Sequence, residues 1–162
     1  MKILKKKTAV ILCGGLGSRL GALSKKIPKS MVKINNHPII WFIIKNLIKN
    51  SFNHLILPVG YKGNLIKKYI KNNFKSKNID IDIVETGKNT KIAKRIYLVK
   101  NQIKSKNFLL MNGDAIFDFN LKKIFKDHEK NSFAMTFLGG ENQLAYGTIG
   151  INNKKIVNFE RN

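Results

Sequence analysis

Two hydrophobic patterns alternate along this chain. Short apolar runs rich in β-branched residues indicate buried strands, and between them apolar residues recur at the three- and four-residue spacing of amphipathic helices. The strand-like runs are Thr8–Cys13, His54–Val59, Phe108–Met111 and Phe133–Leu138, followed by a hairpin pattern at Ile149–Ile151 and Ile156–Phe159. At Ile79–Ile83, isoleucines alternate with Asp80 and Asp82, which predicts a strand with one face in water. The helix-like stretches are Pro38–Lys49, Asn64–Phe74, Ile92–Ile103 and Leu121–Lys130. This alternation predicts an α/β fold, a Rossmann-like and mostly parallel sheet with helices on both faces.

Length and apolar content fit one domain over residues 1–162. The chain has 162 residues, of which 43% are apolar, enough to bury a core. The longest apolar run, Pro38–Ile44, is too short to span a membrane, and no signal-peptide pattern follows the N-terminal lysines. Cys13 is the one cysteine, which excludes an internal disulfide. We therefore expect a cytoplasmic protein without a membrane partner.

The net charge of +22 does not by itself predict a nucleic-acid partner. It arises from 28 Lys and only 3 Arg, spread along a chain that also has 20 Asn and 23 Ile, a composition typical of an AT-rich genome. A nucleic-acid reader would favour Arg, whose guanidinium forks onto guanine and phosphate. RNP-type aromatic motifs, a KH loop and zinc-ligand spacing are also missing from the sequence. We therefore expect no nucleic-acid partner.

A glycine-rich loop directly after the first predicted strand is the clearest chemical signal. In the run from Gly14 to Arg19, three glycines let the backbone turn its N–H groups towards an anion, and Arg19 adds a guanidinium that matches phosphate oxygens. The loop is not a Walker A motif, and Leu20 replaces the third glycine of the dinucleotide fingerprint. An ordinary glycine-rich turn stays open as the alternative.

Two charged residues lie where they could join this loop. Pro28 fixes the backbone just ahead of Lys29, whose ammonium could reach back to the same phosphates; by itself Lys29 could equally be one more solvated lysine. Asp114 follows the buried strand at Phe108–Met111. A carboxylate at the carboxyl end of a parallel strand can hold Mg²⁺ against nucleotide phosphates.

Together these motifs resemble the opening of the sugar-1-phosphate nucleotidylyltransferases, also called nucleotide-sugar pyrophosphorylases. The family signature is a Gly-Gly-x-Gly-x-Arg-Leu loop followed by Pro-Lys-Pro, and Ser30 stands at the second proline here. The segments that carry the resemblance are Leu12–Leu20, Pro28–Val32, Pro38–Trp41, Val59–Gly63, Asn112–Asp114 and Phe159–Arg161. The resemblance implies that an NTP and a sugar 1-phosphate give a nucleotide-sugar and pyrophosphate, as in polysaccharide biosynthesis.

The same resemblance implies a role for individual residues. Arg19 and Lys29 would be catalytic, and Asp114 would bind Mg²⁺. The nucleotide contacts would be Leu12, Gly14, Gly15, Gly17, Ser18, Arg19, Lys29, Thr90, Arg95 and Gly113. The sugar contacts would be Gly147, Glu160 and Arg161.

Two segments point to different members of the family. Glu85–Ile96 resembles the Asp-Thr-Gly-x-x-Thr-Met-Thr-Gly-Gly-Arg segment of glucose-1-phosphate cytidylyltransferase, with Ala93-Lys94 replacing the Gly-Gly, and favours CTP with glucose 1-phosphate. Leu110–Asp118 and Tyr146–Ile149 are closer to heptose or mannose guanylyltransferases, which would use GTP. From the residues alone, Glu85–Ile96 could also be a loop followed by a helix with Thr90 as its N-cap.

Chains of this family usually continue well beyond residue 162. That continuation carries a second metal-binding Asp, much of the sugar pocket and common oligomer contacts, whereas no acidic residue follows Glu160 here. We therefore expect the nucleotide-binding part without the C-terminal sugar-binding part, and a homo-oligomer is left open. The alternative from another class is a nucleotide-binding domain without turnover, because metal positioning is a large part of this catalysis.

Overall fold

The computed structural model describes residues 6–15, 17, 26–75, 78–131, 133–139, 148–152 and 155–160. The strands are Thr8–Leu12 (β1), Lys33–Ile34 (β2), His37–Pro38 (β3), His54–Val59 (β4), Asp80–Glu85 (β5), Phe108–Asn112 (β6), Thr148–Asn152 (β7) and Lys155–Glu160 (β8). The helices are Ile39–Lys49 (α1), Gly63–Asn73 (α2), Ile92–Leu98 (α3) and Leu121–Lys130 (α4), with 3₁₀ turns at Lys29–Met31 and Lys100–Gln102.

Strand β1 lies inside a four-stranded parallel sheet with the order β5-β4-β1-β6. On one edge of β1, Val10 stands opposite Ile56 of β4, and on the other edge Leu12 stands opposite Asn112 of β6. All four strands run in the same direction, so their carboxyl ends lie at one edge of the sheet. The glycine-rich loop after β1 and Gly113 after β6 both begin at that edge.

Both faces of the two central strands are covered. Residues 9–11 of β1 and 55–57 of β4 have no exposed surface. Successive strand residues point to opposite faces, so water reaches neither face along these positions. On one of the faces, Val10 and Ile56 pack with Val99, the residue that follows α3. The predicted α/β class, a parallel sheet flanked by helices, is confirmed.

The helices follow the predicted apolar periodicity. Helix α1 buries Ile40, Ile43, Ile44 and Leu47, which share one face at helical spacing, and Pro38 precedes it in extended conformation. Helix α3 is shorter than the predicted Ile92–Ile103, because the backbone leaves the α-helix at Val99, whose side chain is buried in the core. Within the described part of the chain, no helix combines the length and apolar character that a membrane crossing requires.

The chain divides into two compact units, Met1–Lys122 and Lys123–Asn162. In the second unit β7 and β8 form an antiparallel hairpin, which confirms the hairpin pattern, and α4 has its predicted bounds. The predicted strand at Phe133–Leu138 is wrong, because this segment is not paired into a sheet and its side chains are exposed. A single nucleotidyltransferase domain over 1–162 stays a prediction.

Candidate functional site

The candidate site begins where two neighbouring strands end together. Leu12 and Asn112 are the last residues of β1 and β6 and stand opposite each other, so the two following loops start side by side. The Gly113 N–H donates to the Leu12 carbonyl over 3.0 Å. The predicted anion loop and the predicted metal ligand Asp114 therefore leave the sheet from adjacent positions.

A cavity of about 470 Å³ opens between these loops. Every described residue predicted to bind nucleotide or metal lines it, namely Leu12, Gly14, Gly15, Gly17, Lys29, Thr90, Arg95, Gly113 and Asp114. Cys13, Ser30, Lys91, Ile92 and Asn112 line it as well. Segments separated by as much as 100 residues in sequence thus converge on one concave surface.

The backbone at Gly113 leaves no space for a side chain. A Cβ at this position would lie 2.6 Å from the Cys13 Sγ and 3.0 Å from the Leu12 carbonyl oxygen. Real Cβ atoms essentially never approach another heavy atom as closely as 2.6 Å, so glycine allows β1 and β6 to end in contact. The glycine before Asp114 therefore has a packing reason, independent of any ligand.

Lys29 and Asp114 form an ion pair at the cavity wall. Lys29 begins a 3₁₀ turn directly after Pro28, whose extended backbone ends the preceding segment. The Lys29 Nζ pairs with the Asp114 Oδ2, and the two side chains are 44% and 27% exposed. The structure thus brings Lys29 and Asp114 together, and in the free protein they contact each other. Their predicted roles in phosphate and metal binding stay predictions.

Arg95 is the most deeply buried cation of the cavity wall, with 4% of its surface exposed. Its Nη2 donates to the Gly14 carbonyl over 2.8 Å and to the Lys88 carbonyl over 3.3 Å. Its Nη1 donates to the Val59 carbonyl over 3.2 Å and to the Thr86 hydroxyl. Burial lowers the pKa of Arg95, and the charge of Glu85 partly offsets that shift. One guanidinium thus connects the backbone after β1, β4 and β5.

The segment that follows β5 is held by its own threonines. The Thr86 hydroxyl donates to the Val59 carbonyl over 2.6 Å, and the Thr90 hydroxyl donates to the Thr86 carbonyl. The N-cap of α3 is Lys91, without a side-chain capping bond, so the alternative interpretation of Thr90 as the N-cap is wrong. The nucleotide contacts predicted for Thr90 and Arg95 stay predictions.

Cys13 lies in the cavity wall as a buried, unreactive thiol. It is 5% exposed, and burial raises its pKa to about 12, with a smaller contribution in the same direction from the charge of Asp114. A thiol with this pKa stays protonated at neutral pH, and the thiolate is the reactive form. Cys13 therefore acts as a small packing residue.

Asp114 fits a magnesium site that uses few protein ligands. Among the residues the structure describes, no group of three or more His, Cys, Asp or Glu side chains could hold a metal ion. Mg²⁺ often binds through one or two carboxylates, with phosphate oxygens and water completing its shell. A single carboxylate at the wall of a glycine-lined cavity matches that donor set.

Four predicted site residues, Ser18, Arg19, Gly147 and Arg161, lie outside the described residues. Glu160 ends β8 in the second unit. The roles predicted for these five residues stay predictions.

Three polar residues of the cavity wall, Ser30, Lys91 and Asn112, were not predicted as site residues. The signal for Asn112 was available, since it follows the predicted strand Phe108–Met111 directly and precedes Gly113 and Asp114. The expectation that this strand is buried is wrong, because all residues of β6 are partly or largely exposed. Lys91 carries no motif of its own, and its place depends on how the loop after β5 folds.

Comparison with known proteins agrees with the family predicted from the motifs. A family model described as nucleotidyl transferase matches residues 8–160. The chain is 34% identical over 151 residues to the D-glycero-alpha-D-manno-heptose 1-phosphate guanylyltransferase of Campylobacter jejuni, covering 92% of this chain and 65% of that protein. It is 32% identical over 162 residues to a probable glucose-1-phosphate cytidylyltransferase of Bacillus subtilis, covering 88% and 64%. The chain thus spans just under two thirds of each relative.

A solved structure shares the fold. HddC from Yersinia pseudotuberculosis, complexed with GMP-PN, superposes with a TM-score of 0.66 at 21% identity, covering 96% of this chain and 69% of that one. At 21% identity, this similarity shows the fold alone.

Proposed function

Because this chain belongs to the nucleotidyl transferase family, we propose that it transfers the nucleotidyl group of an NTP to a sugar 1-phosphate and releases pyrophosphate. The observation that carries the proposal is the meeting of three features in one cavity. These are the glycine-rich loop after β1, the Lys29 ammonium and the Asp114 carboxylate. The similarity to a guanylyltransferase and a cytidylyltransferase, both named for sugar 1-phosphates, supports the same reaction class.

The proposed chemistry requires positioning and charge neutralisation rather than proton transfer. An oxygen of the sugar 1-phosphate attacks the α-phosphorus of the NTP, and the bond to the leaving pyrophosphate breaks. The nucleophile is already an anion at neutral pH, so no general base is needed. Catalysis then depends on holding two polyanions together in the reactive geometry.

The residues of the cavity divide this task. Backbone N–H groups of the glycine-rich loop bind phosphate oxygens, and Lys29 bridges phosphates of the two substrates. Arg19 stabilises the leaving pyrophosphate. Asp114 would hold Mg²⁺ together with phosphate oxygens, and the ion would supply further neutralisation of the phosphate charge.

We favour CTP with glucose 1-phosphate as the substrates, because Glu85–Ile96 resembles the corresponding segment of cytidylyltransferases. GTP with a heptose or mannose 1-phosphate is the second candidate. It is favoured by Leu110–Asp118 and by the similarity to the guanylyltransferase of Campylobacter jejuni. Residues Gly147, Glu160 and Arg161 are proposed to contact the sugar phosphate.

The test is a matrix assay for pyrophosphate release. The purified chain is incubated with Mg²⁺ and each of the four NTPs, combined in turn with glucose, mannose and heptose 1-phosphates. We expect release with one NTP above the others. A folded chain that binds CTP or GTP in calorimetry but releases no pyrophosphate with any pair would contradict the transfer reaction. That result would instead support a nucleotide-binding domain without turnover.

Asp114→Asn tests the proposed metal ligand with little change in shape. We expect at least a hundredfold loss of pyrophosphate release. Asp118→Asn is the matched control, because it removes an exposed carboxylate four residues away and is expected to retain activity. Equal activity of the two variants would remove Asp114 from the metal role.

A further inference from the structure

The Asp114 carboxylate, the proposed metal ligand, already has a cationic partner. Lys29 reaches it from the 3₁₀ turn after Pro28, more than 80 residues earlier in sequence, and their charged atoms are in direct contact. A carboxylate oxygen that contacts an ammonium cannot accept a metal ion at the same position. Metal binding at the Asp114 Oδ2 therefore requires that Lys29 moves away, and metal binding at the Oδ1 is opposed at close range by the ammonium charge.

The other charges of the cavity oppose a free metal ion as well. Among the described residues that line it, three are cations (Lys29, Lys91 and Arg95), and Asp114 is the one carboxylate. A dication entering this cavity without a counter-anion meets a net positive charge at close range. A nucleotide, in contrast, brings three or four negative charges that attract both Lys29 and the metal.

We propose that Lys29 is the resting counter-ion of Asp114, and that phosphates release the carboxylate for metal by taking Lys29 over. Metal and nucleotide then bind with positive coupling, and metal alone binds weakly. By thermodynamic linkage, the metal strengthens nucleotide binding by the same factor by which the nucleotide strengthens metal binding. This inference rests on the proposed role of Asp114, and it assigns Lys29 a second role before the phosphates arrive.

The test measures metal binding without any nucleotide. Mn²⁺ serves as the probe, because the free ion is counted directly by its electron paramagnetic resonance signal. We expect the Lys29→Met and Lys29→Gln chains to bind Mn²⁺ at least about tenfold more tightly than the unmodified chain, since both remove the ammonium from the carboxylate. Adding Asp114→Asn to Lys29→Met is expected to abolish the gain.

Lys91→Met is the matched control. It removes the same charge from the same cavity wall, but Lys91 is not the partner of Asp114 in the ion pair. We expect its Mn²⁺ affinity to stay within about threefold of the unmodified chain. Lys29 is an exposed residue, and circular dichroism establishes that each variant is folded before binding is compared.

Two results would overturn the proposal. One is that neither Lys29 variant binds Mn²⁺ more than about threefold better than the unmodified chain, including the case in which binding is undetectable in all of them. The other is an equal gain in Lys91→Met, which would indicate a general effect of cavity charge. Neither result depends on turnover, so a failure here is distinguishable from a failure of the pyrophosphate assay.

Discussion

Replacing Arg95 by Met is expected to destabilise the free protein, because the guanidinium connects the loop after β1, the end of β4 and the loop after β5. Its four acceptors are the carbonyl oxygens of Gly14, Val59 and Lys88 and the hydroxyl of Thr86. Hydrogen bonds from a charged donor contribute about 1.5–3 kcal/mol each. The Val59 carbonyl keeps two other donors, the N–H and the hydroxyl of Thr86. The main loss therefore falls on the other two carbonyls.

The net effect is smaller than the sum of these bonds. Burial lowers the pKa of Arg95, which means that desolvation of its charge already opposes folding, and Met removes that cost. We expect a decrease of about 2–4 kcal/mol in the free energy of unfolding. For a chain of this size it corresponds to a decrease in melting temperature of roughly 4–16 °C. Arg95→Lys should recover little of the lost stability, since one ammonium cannot make the four hydrogen bonds of the guanidinium.

Urea unfolding at neutral pH measures this effect. Trp41 is the single tryptophan and lies in the first unit, so its fluorescence follows the unit that contains Arg95. The matched control is Lys94→Met, which removes an exposed cation one residue away. The Lys94 ammonium lies over the ring of Tyr97. We expect this control to cost less than about 1 kcal/mol. If Arg95→Met weakened nucleotide binding yet unfolded at the same urea concentration as the control, the reasoning would be refuted in favour of a direct nucleotide contact.

Two further predictions concern the junction of β1 and β6. Gly113→Ala is expected to lower the free energy of unfolding in urea by about 1–3 kcal/mol, because its Cβ would overlap the Cys13 Sγ and press on the Leu12 carbonyl. Gly15→Ala is the control, because its Cβ would meet open space, and it should change that free energy by less than about 0.5 kcal/mol. Equal unfolding midpoints of the two variants would contradict the packing argument. Folding raises the pKa of the Cys13 thiol from 9.0 to about 12, so its contribution to stability is complete below pH 9 and is lost as the pH rises further. Between pH 8 and pH 10 the unmodified chain should therefore lose about 1.4 kcal/mol more stability than Cys13→Ala, and parallel pH profiles would disprove this.

The local elements of this fold could be predicted well from the sequence. Helix α4 has the predicted bounds and α1 differs by one residue, because a stripe of apolar residues fixes a helix within its own segment. The strand predicted at Phe133–Leu138 is wrong, because a short apolar run makes a strand only when another strand pairs with it. Helix α3 ended early for a similar reason, since Val99 is used in packing against the sheet.

The candidate site could be predicted as a set of residues but not as a set of contacts. The resemblance of the motifs to a known family identified Lys29, Asp114 and Arg95, and the structure brings all three to one cavity. The sequence contains no information on which side chain contacts which in the free protein. The Lys29–Asp114 pair and the bonds of Arg95 to backbone carbonyls depend on loops that meet only after the sheet has formed.

The central position of β1 has a consequence for how the chain folds during synthesis. Thr8 pairs with His54 on one edge and with Phe108 on the other, so β1 must wait for partners that are 46 and 100 residues later in the sequence. Until Asn112 has left the ribosome, one edge of this mostly apolar strand has no native partner. Such long-range pairing slows folding and leaves unpaired strand edges that are prone to aggregation. Strand β1 is therefore expected to stay unpaired on one edge until β6 has been made, which leaves its apolar residues open to aggregation during synthesis.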